Sequence, residues 1–394
     1  MAKWNEYRIG DLCSTISETY KGDDDEVILI NTSDVLEGKI LNHEMVPNKK
    51  LKGQFKKTFK TDDILYSEIR PANKRFAYVD IEDTSLYIAS TKLMILRPNT
   101  SIVEPRFLFA ILSSQIIIDE LQVRAESRSG TFPQITYGAE LSPMKVMIPD
   151  KYTQKKIVSF LNCIQGKLDI NEAINRNLLE QAISVFKEKI WSKDKNGTIG
   201  DYCIMKSGFA FKSSWWTDEG VKVIKIGDIN QDNLSLSTCS HVDEDKVEKA
   251  GDFSVKAGDL VLAMTGATIG KFAMVPERSE TILVNQRVGK FFLGEEPLKK
   301  VPFIYCTLKM DDVYSEVIGR GQGSAQPNIS ANDVMTIPCV IPTDIEIDEF
   351  NEFAEPIFAS IVKNQNENEK LANLRDSLLP KLMSGELDVS NLDI

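Results

Sequence analysis

The chain has 394 residues, with 47 Lys and Arg against 58 Asp and Glu, for a formal net charge of −11. That length predicts two or more domains, and 42% hydrophobic with 27% charged residues is the composition of a folded protein rather than a disordered one. No uninterrupted apolar window of about 18 residues is present to span a membrane, and the opening MAKWNEYRIGDL has neither the basic nor the apolar region of a secretory signal. Six scattered cysteines with no CxxC fit a reducing cytoplasm, not a disulfide scaffold or a zinc site. Two histidines, His43 and His241, are too few for a His-rich metal centre.

In chain order, short alternating or β-branched runs at 27–30, 64–66, 75–79 and 93–96, separated by Gly, Asp, Asn and Pro, predict strands and turns. A helical stretch at 105–123 follows, then a polar loop at 124–134, a short strand ending at Ile148-Pro149, and a long helix from Thr153 to Trp191. The order then repeats: strands at 221–226, 260–264 and 271–275, a helix at 302–318, a polar loop at 319–328, a strand ending at Ile341-Pro342, and a closing helix.

The repetition extends to identities. Ile9-Gly10-Asp11-Leu12-Cys13 returns as Ile199-Gly200-Asp201-Tyr202-Cys203, Phe76-Ala77-Tyr78-Val79 as Phe272-Ala273-Met274-Val275, and Pro133 and Ile135 as Pro327 and Ile329. The chain is an internal duplication with a period near half its length, far longer than the roughly 20–50 residues of solenoid repeats. Its parts divide as a first domain (1–150), a central spacer helix (151–196), a second domain (197–343) and a C-terminal spacer helix (344–394).

The two long helices share a heptad seam. Leu161, Ile164, Leu168, Asn171, Asn175, Leu178, Ala182 and Val185 match Ala354, Ile357, Ile361, Asn364, Asn368, Leu371, Arg375 and Leu378. Asparagine at a seam position fixes register at some cost in stability. Antiparallel pairing places Asn171 opposite Asn368 and Asn175 opposite Asn364, with Leu168 opposite Leu371 and, less favourably, Ile164 opposite Arg375. At about 1.5 Å per residue, such a helix makes a spacer of roughly 60 Å. The alternative is that each helix packs only on its own domain. The expected fold class is α+β: two duplicated mixed α/β domains joined by two long antiparallel coiled-coil helices, a dumbbell with a pseudo-twofold axis.

No catalytic constellation emerges. Gly266-Ala267-Thr268-Ile269-Gly270-Lys271-Phe272 has three residues between its glycines and Phe after the lysine, whereas a phosphate loop needs four and a Ser or Thr. Gly319-Arg320-Gly321-Gln322-Gly323 follows a helix rather than a strand, unlike a dinucleotide loop. Asp63 and Asp259 fall at strand starts, where a turn role accounts for them. No cofactor and no metal is expected. An undetected enzyme site near Lys271 remains the alternative class.

Candidate DNA contacts follow from local charge, since no domain is basic overall. In the first half they are Lys49, Lys50, Lys56 and Lys57, within a run that also holds Lys52 and Lys60, together with Arg70, Lys74, Arg75, Arg124, Arg128 and Gln134. In the second they are Lys206, Lys212, Lys271, Arg287, Arg320, Gln322, Gln326 and Asn328. Arg, Gln and Asn on the polar loops suit bidentate pairing with base edges. A lysine run is equally a solvated face.

The C-terminal run Leu371-Ala372-Asn373-Leu374-Arg375-Asp376-Ser377-Leu378-Leu379-Pro380-Lys381-Leu382-Met383-Ser384-Gly385-Glu386-Leu387 and the stretch Gln154-Lys155-Lys156-Ile157-Val158 closely resemble the DNA-specificity subunit of Type I restriction–modification systems. Gly258-Asp259-Leu260-Val261 with Thr265, Gly266 and Gly270, and then Gln326-Pro327-Asn328-Ile329, resemble that family's recognition signatures. The first half departs from them, with Thr61-Asp62-Asp63 for the Gly-Asp and no glycine turn. The resemblance implies two target-recognition domains, each reading one half of a bipartite site in double-stranded DNA, with the helix pair setting the spacing. It implies a non-catalytic cytoplasmic subunit that recruits two modification subunits, which methylate adenine from S-adenosylmethionine, and in the full assembly ATP-dependent restriction subunits. A stand-alone DNA-binding or scaffold protein without a methyltransferase partner is the alternative.

Overall fold

The computed structural model describes residues 4–49, 53–128, 132–278, 280–322 and 327–387. The chain resolves into two compact units, residues 1–166 with 372–394, and residues 167–371.

In the first unit the strands Cys13–Ile16, Leu93–Pro98, Ile64–Ser67 and Phe76–Tyr78 form an antiparallel sheet in that order. A second sheet runs Met45–Pro47, Glu26–Ile30, Tyr87–Ser90, Phe55–Lys57, with its middle pair parallel. Asn5–Arg8 pairs with Lys145–Ile148, so the entering chain meets the strand before the central helix. Ile64, Tyr66, Met94 and Leu96 lie under the helices Pro105–Leu112 and Gln115–Arg128, while Leu65, Ala77 and Ile95 face the second sheet. Residues alternating along one strand thus enter two cores, which is why these strands read as continuous apolar runs.

The second unit repeats the plan. Ile204–Ser207, Val288–Phe292, Leu260–Ala263 and Phe272–Met274 form the antiparallel sheet. Trp216–Thr217, Ser240–Val242, Val221–Ile224, Ile282–Val284 and Ser254–Val255 form the other, again around one parallel pair. Here the helices are Val301–Leu308 and Asp311–Gly321. Trp216–Thr217 is a fifth strand without a counterpart in the first unit's four-stranded sheet.

The central helix runs Lys151–Phe186 and the C-terminal helix Asp344–Ser384, the latter continuing through Pro356 and Pro380. Within the first unit Ile157, Val158 and Leu382 share its larger core, with Leu161 and Leu378 packed against it. Within the second, Ala182 and Phe186 pack with Phe350, Ala354 and Phe358. Among the described residues no helix is long and apolar enough to cross a membrane.

Helix extents correct the sequence reading. The stretch expected as one helix from 105 to 123 breaks at Ser113–Ser114 and runs on to Arg128, because Ile117, Ile118, Leu121 and Ala125 keep a buried stripe going through the polar segment. Its repeat ends at Gly321 for the same reason, with Val313, Val317 and Gly321 buried. Arg124, Arg128 and Arg320 are therefore helical residues, not loop residues.

Candidate nucleic-acid interface

The same junction is built at the end of the helix-covered sheet in each unit. Beyond Ile64–Ser67 the chain turns through Arg70 and Lys74 and returns as Phe76–Tyr78. The loop after the helices is stitched onto that turn by main-chain bonds: Arg70 N donates to Pro133 O at 3.1 Å and Ile135 N to Glu68 O at 2.9 Å. In the second unit Gly266 N donates to Pro327 O at 3.0 Å and Ile329 N to Met264 O at 2.9 Å. Bridges Ile69–Gln134 and Thr265–Asn328 complete the match.

The absent glycine turn of the first half proves to be the same turn made without glycine. Asp62, Arg70 and Lys74 have φ of 70°, 44° and 51°, where Gly258, Gly266 and Gly270 have 80°, 73° and 80°. A left-handed backbone costs an ordinary residue about 1–2 kcal/mol. In the second unit a Cβ at Gly270 would also lie 2.6 Å from Ile318 Cδ1, so that side chain would have to shift.

The candidate cations separate into two groups. Lys57 donates to Thr91 O at 3.0 Å and Leu93 O at 2.7 Å, and burial pushes its ammonium pKa down. Arg75 donates to Ser33 O at 2.9 Å. Arg124 bonds Glu120 and donates to Glu140 O at 3.2 Å, and Arg128 faces Glu140 at 3.4 Å. Arg320, the repeat of Arg124, bonds Glu316 at 3.0 Å, Asp333 O at 2.7 Å and Thr336 Oγ1 at 2.8 Å. Arg124 and Arg320 thus clamp each second helix to the turn that follows it. By contrast, no described residue pairs with the charged heads of Lys49, Lys56, Arg70, Lys271 or Arg287. Among the described residues the Lys74 ammonium makes only a 3.7 Å contact with Glu37. Gln322 and Asn328 are exposed, and Gln134 is half-buried. Lys50 and Gln326 lie outside the described residues.

Lys212 lies over Trp215 at 5.5 Å, with Lys246 and Lys249 at 5.4 and 5.5 Å from the same ring and Lys225 at 3.6 Å from Trp216. Only Lys212 of these is legible as a candidate from local charge; the adjacent tryptophans were the signal for the rest. Lys206 is placed over Phe292 at 5.2 Å.

In the helix pair Asn171 Nδ2 donates to Asn368 Oδ1 at 2.8 Å and to Glu367 Oε2 at 2.8 Å, and Asn364 Nδ2 donates to Asn175 Oδ1 at 2.8 Å. Asn171 is 1% exposed. Arg375 donates to Gln165 Oε1 at 3.2 Å, turning aside where the seam opposes it to Ile164.

Other chemistry is accounted for structurally. Asp63, 1% exposed, accepts from Arg97 at 2.8 and 2.7 Å and from Lys60 N at 2.8 Å. Asp259 accepts from Lys256 N at 2.9 Å and faces Lys290 at 3.5 Å, and burial raises its pKa. Burial pushes the thiols of Cys13, Cys203, Cys239 and Cys339 up to about 12, so they are poor nucleophiles. His43 is held between Tyr87 Oη at 3.0 Å and Ile40 O at 3.2 Å. The 266–272 segment is a hairpin turn between Leu260–Ala263 and Phe272–Met274. Gly321 lets Ile269 approach the helix end, since a Cβ would collide with that side chain. Among the described residues no group of three or more His, Cys, Asp or Glu could hold a metal ion.

Comparison with known proteins agrees with this duplicated architecture. The family model described as Type I restriction modification DNA specificity domain matches residues 1–180 and again 192–372. The Type I restriction enzyme HindI specificity subunit of Haemophilus influenzae is 29% identical, over 98% of this chain and 100% of that protein. The MjaVIII specificity subunit of Methanocaldococcus jannaschii is 23% identical, over 78% and 76%. The solved S subunit of a Type I restriction–modification system from M. genitalium superimposes with a TM-score of 0.51 at 16% identity, covering 97% of this chain and 96% of that one, and shares the fold. The duplicated domain, the paired helices and the repeated family match agree: the chain belongs to the Type I restriction modification DNA specificity family and is a DNA-recognition subunit.

Proposed function

We propose that residues 1–150 and 197–343 are two target-recognition domains, each reading one half of a bipartite site in double-stranded DNA. On this reading the helices 151–196 and 344–394 set the number of base pairs between the half-sites and dock two modification subunits. Specificity subunits are non-catalytic. The modification subunits would methylate adenine from S-adenosylmethionine, and restriction subunits would add ATP-dependent cleavage. The assembly would work in the cytoplasm.

The observation that carries the reading is the duplicated junction with a cation at matching ends, Arg70 in one unit and Lys271 in the other, whose charged heads pair with no described residue, since unpaired cations are what phosphate contacts require. The net charge of −11 supports sharing of phosphate contacts with partner subunits, so this chain alone should bind DNA weakly and with steep salt dependence. The test is to express the chain with its modification subunit and map methyladenine across a host genome. A split motif is expected, and replacing residues 1–150 should alter one of its halves. An uninterrupted motif, or tight salt-insensitive binding by the isolated chain, would refute the proposal.

A further inference from the structure

At the junction in the second unit lies an open groove of about 480 Å³, lined by Ser207, Met264, Thr265, Gln286, Arg287 and Asn328 among others. Its floor holds an unsatisfied group: Thr265 is 9% exposed, and its buried hydroxyl has no hydrogen-bond partner among the described residues. A buried hydroxyl left unpaired is costly, and a polar ligand atom reaching it would recover that cost. At the rim Gln286, Arg287 and Asn328 are exposed, and no described residue bonds their side-chain amide or guanidinium groups. Gln and Asn pair with adenine edges and Arg with guanine edges. The groove therefore presents the donor and acceptor set of base readout, around a partly apolar floor supplied by Met264.

The first unit has the same backbone at these positions and different side chains. Met264 N donates to Arg287 O at 3.0 Å, and Glu68 N donates to Lys92 O at 3.1 Å. Arg287 N donates to Asn285 Oδ1 at 3.3 Å, and Lys92 N donates to Ser90 Oγ at 3.3 Å. With the bridges Thr265–Asn328 and Ile69–Gln134, this equates Met264, Thr265, Gln286, Arg287 and Asn328 with Glu68, Ile69, Thr91, Lys92 and Gln134. Two readers of unlike half-sites need this combination of a constant main-chain frame and replaced side chains. Resting on the DNA-recognition reading above, we propose that Thr265, Gln286, Arg287 and Asn328 are the base-reading residues of the second domain, and that Ile69, Thr91, Lys92 and Gln134 hold the same places in the first.

The test uses the complex of this chain with its modification subunit, and duplexes altered one base pair at a time in each half of the mapped motif. Arg287→Ala and Gln286→Ala change exposed side chains and should each lower discrimination about tenfold or more at one pair of the second half. Discrimination in the first half should stay as in the wild type. Thr265→Val keeps the shape and removes the orphan hydroxyl, so it should lose discrimination while the free protein melts no lower. A uniform loss on all duplexes with a shallower salt slope would make these phosphate contacts, and unchanged discrimination would remove them from the interface; either result overturns the inference. A wild-type complex that methylates no split motif would instead defeat the underlying reading before any variant is made.

Discussion

The asparagine pair between the long helices allows a double-mutant cycle. Asn171 is almost wholly buried and donates to Asn368 Oδ1 at 2.8 Å. Replacing it with leucine removes a neutral hydrogen bond, worth about 1 kcal/mol, and leaves the Asn368 amide short of a partner at a further cost of about 1–3 kcal/mol. Asn171→Leu should therefore destabilise by about 2 kcal/mol, with Asn368→Leu close behind. The bond to Glu367 adds little, because that carboxylate faces solvent and also has Lys167 at 3.3 Å. In the double variant no amide is left unpaired and two leucines meet, so the loss should be smaller than the sum of the singles, with a coupling of about 2 kcal/mol. Asn175 and Asn364 remain to hold register. Urea denaturation followed by helical circular dichroism measures all four corners. Additivity within about 0.5 kcal/mol would mean that the two amides do not act on each other, and the argument from seam asparagines to register would fail.

The turns offer an opposed pair of substitutions: Gly270→Ala should destabilise by about 2 kcal/mol, from a φ of 80° and the contact with Ile318, whereas Lys74→Gly should be neutral or stabilising by about 1 kcal/mol, as read by thermal unfolding. Arg320→Ala should lower the melting temperature and leave the salt slope of DNA binding by the complex unchanged, because its guanidinium holds Glu316, Asp333 and Thr336. Arg70→Ala should do the reverse, leaving melting unchanged and reducing the slope by about 1. Asp259 has a pKa raised by burial, so between its unfolded and folded values the native state binds the extra proton. Its contribution to stability is therefore greatest below that window and falls as pH rises through it. Asp259→Asn, with the Lys256 N–H still able to bond the amide oxygen, should flatten this part of the pH–stability curve measured by denaturant titration.

The duplication and the helix pair were legible because both are periodic: matched motifs recur in one order, and the four asparagines share one heptad phase. What was illegible depends on contacts distant in sequence. Lys57 sits in a lysine run that reads as a basic face, yet its ammonium is held by the carbonyls of Thr91 and Leu93. Arg124 and Arg320 look like loop readers until the buried stripe of Leu121 and Ala125, or of Val317, carries the helix past them. The turn at Arg70 and Lys74 was hidden because a left-handed residue other than glycine leaves no mark in composition. That Thr265 and Gln286 line one groove with Asn328 is illegible because one is buried and the other lies in a turn far in sequence from Asn328, and strand pairing brings them together.

The first unit is completed by the last part of the chain. Leu382 lies in its core beside Ile157 and Val158, and Gly385, at φ 75°, is so close to the Trp4 indole that a Cβ would not fit. During synthesis on a ribosome, residues 1–166 emerge with that core uncovered, and all of 167–371 must be translated before its cover is available. The later-made unit, being continuous in sequence, can fold while the earlier one still waits. Premature termination anywhere before residue 372 would thus leave an N-terminal unit with its apolar surface open to chaperones and proteases.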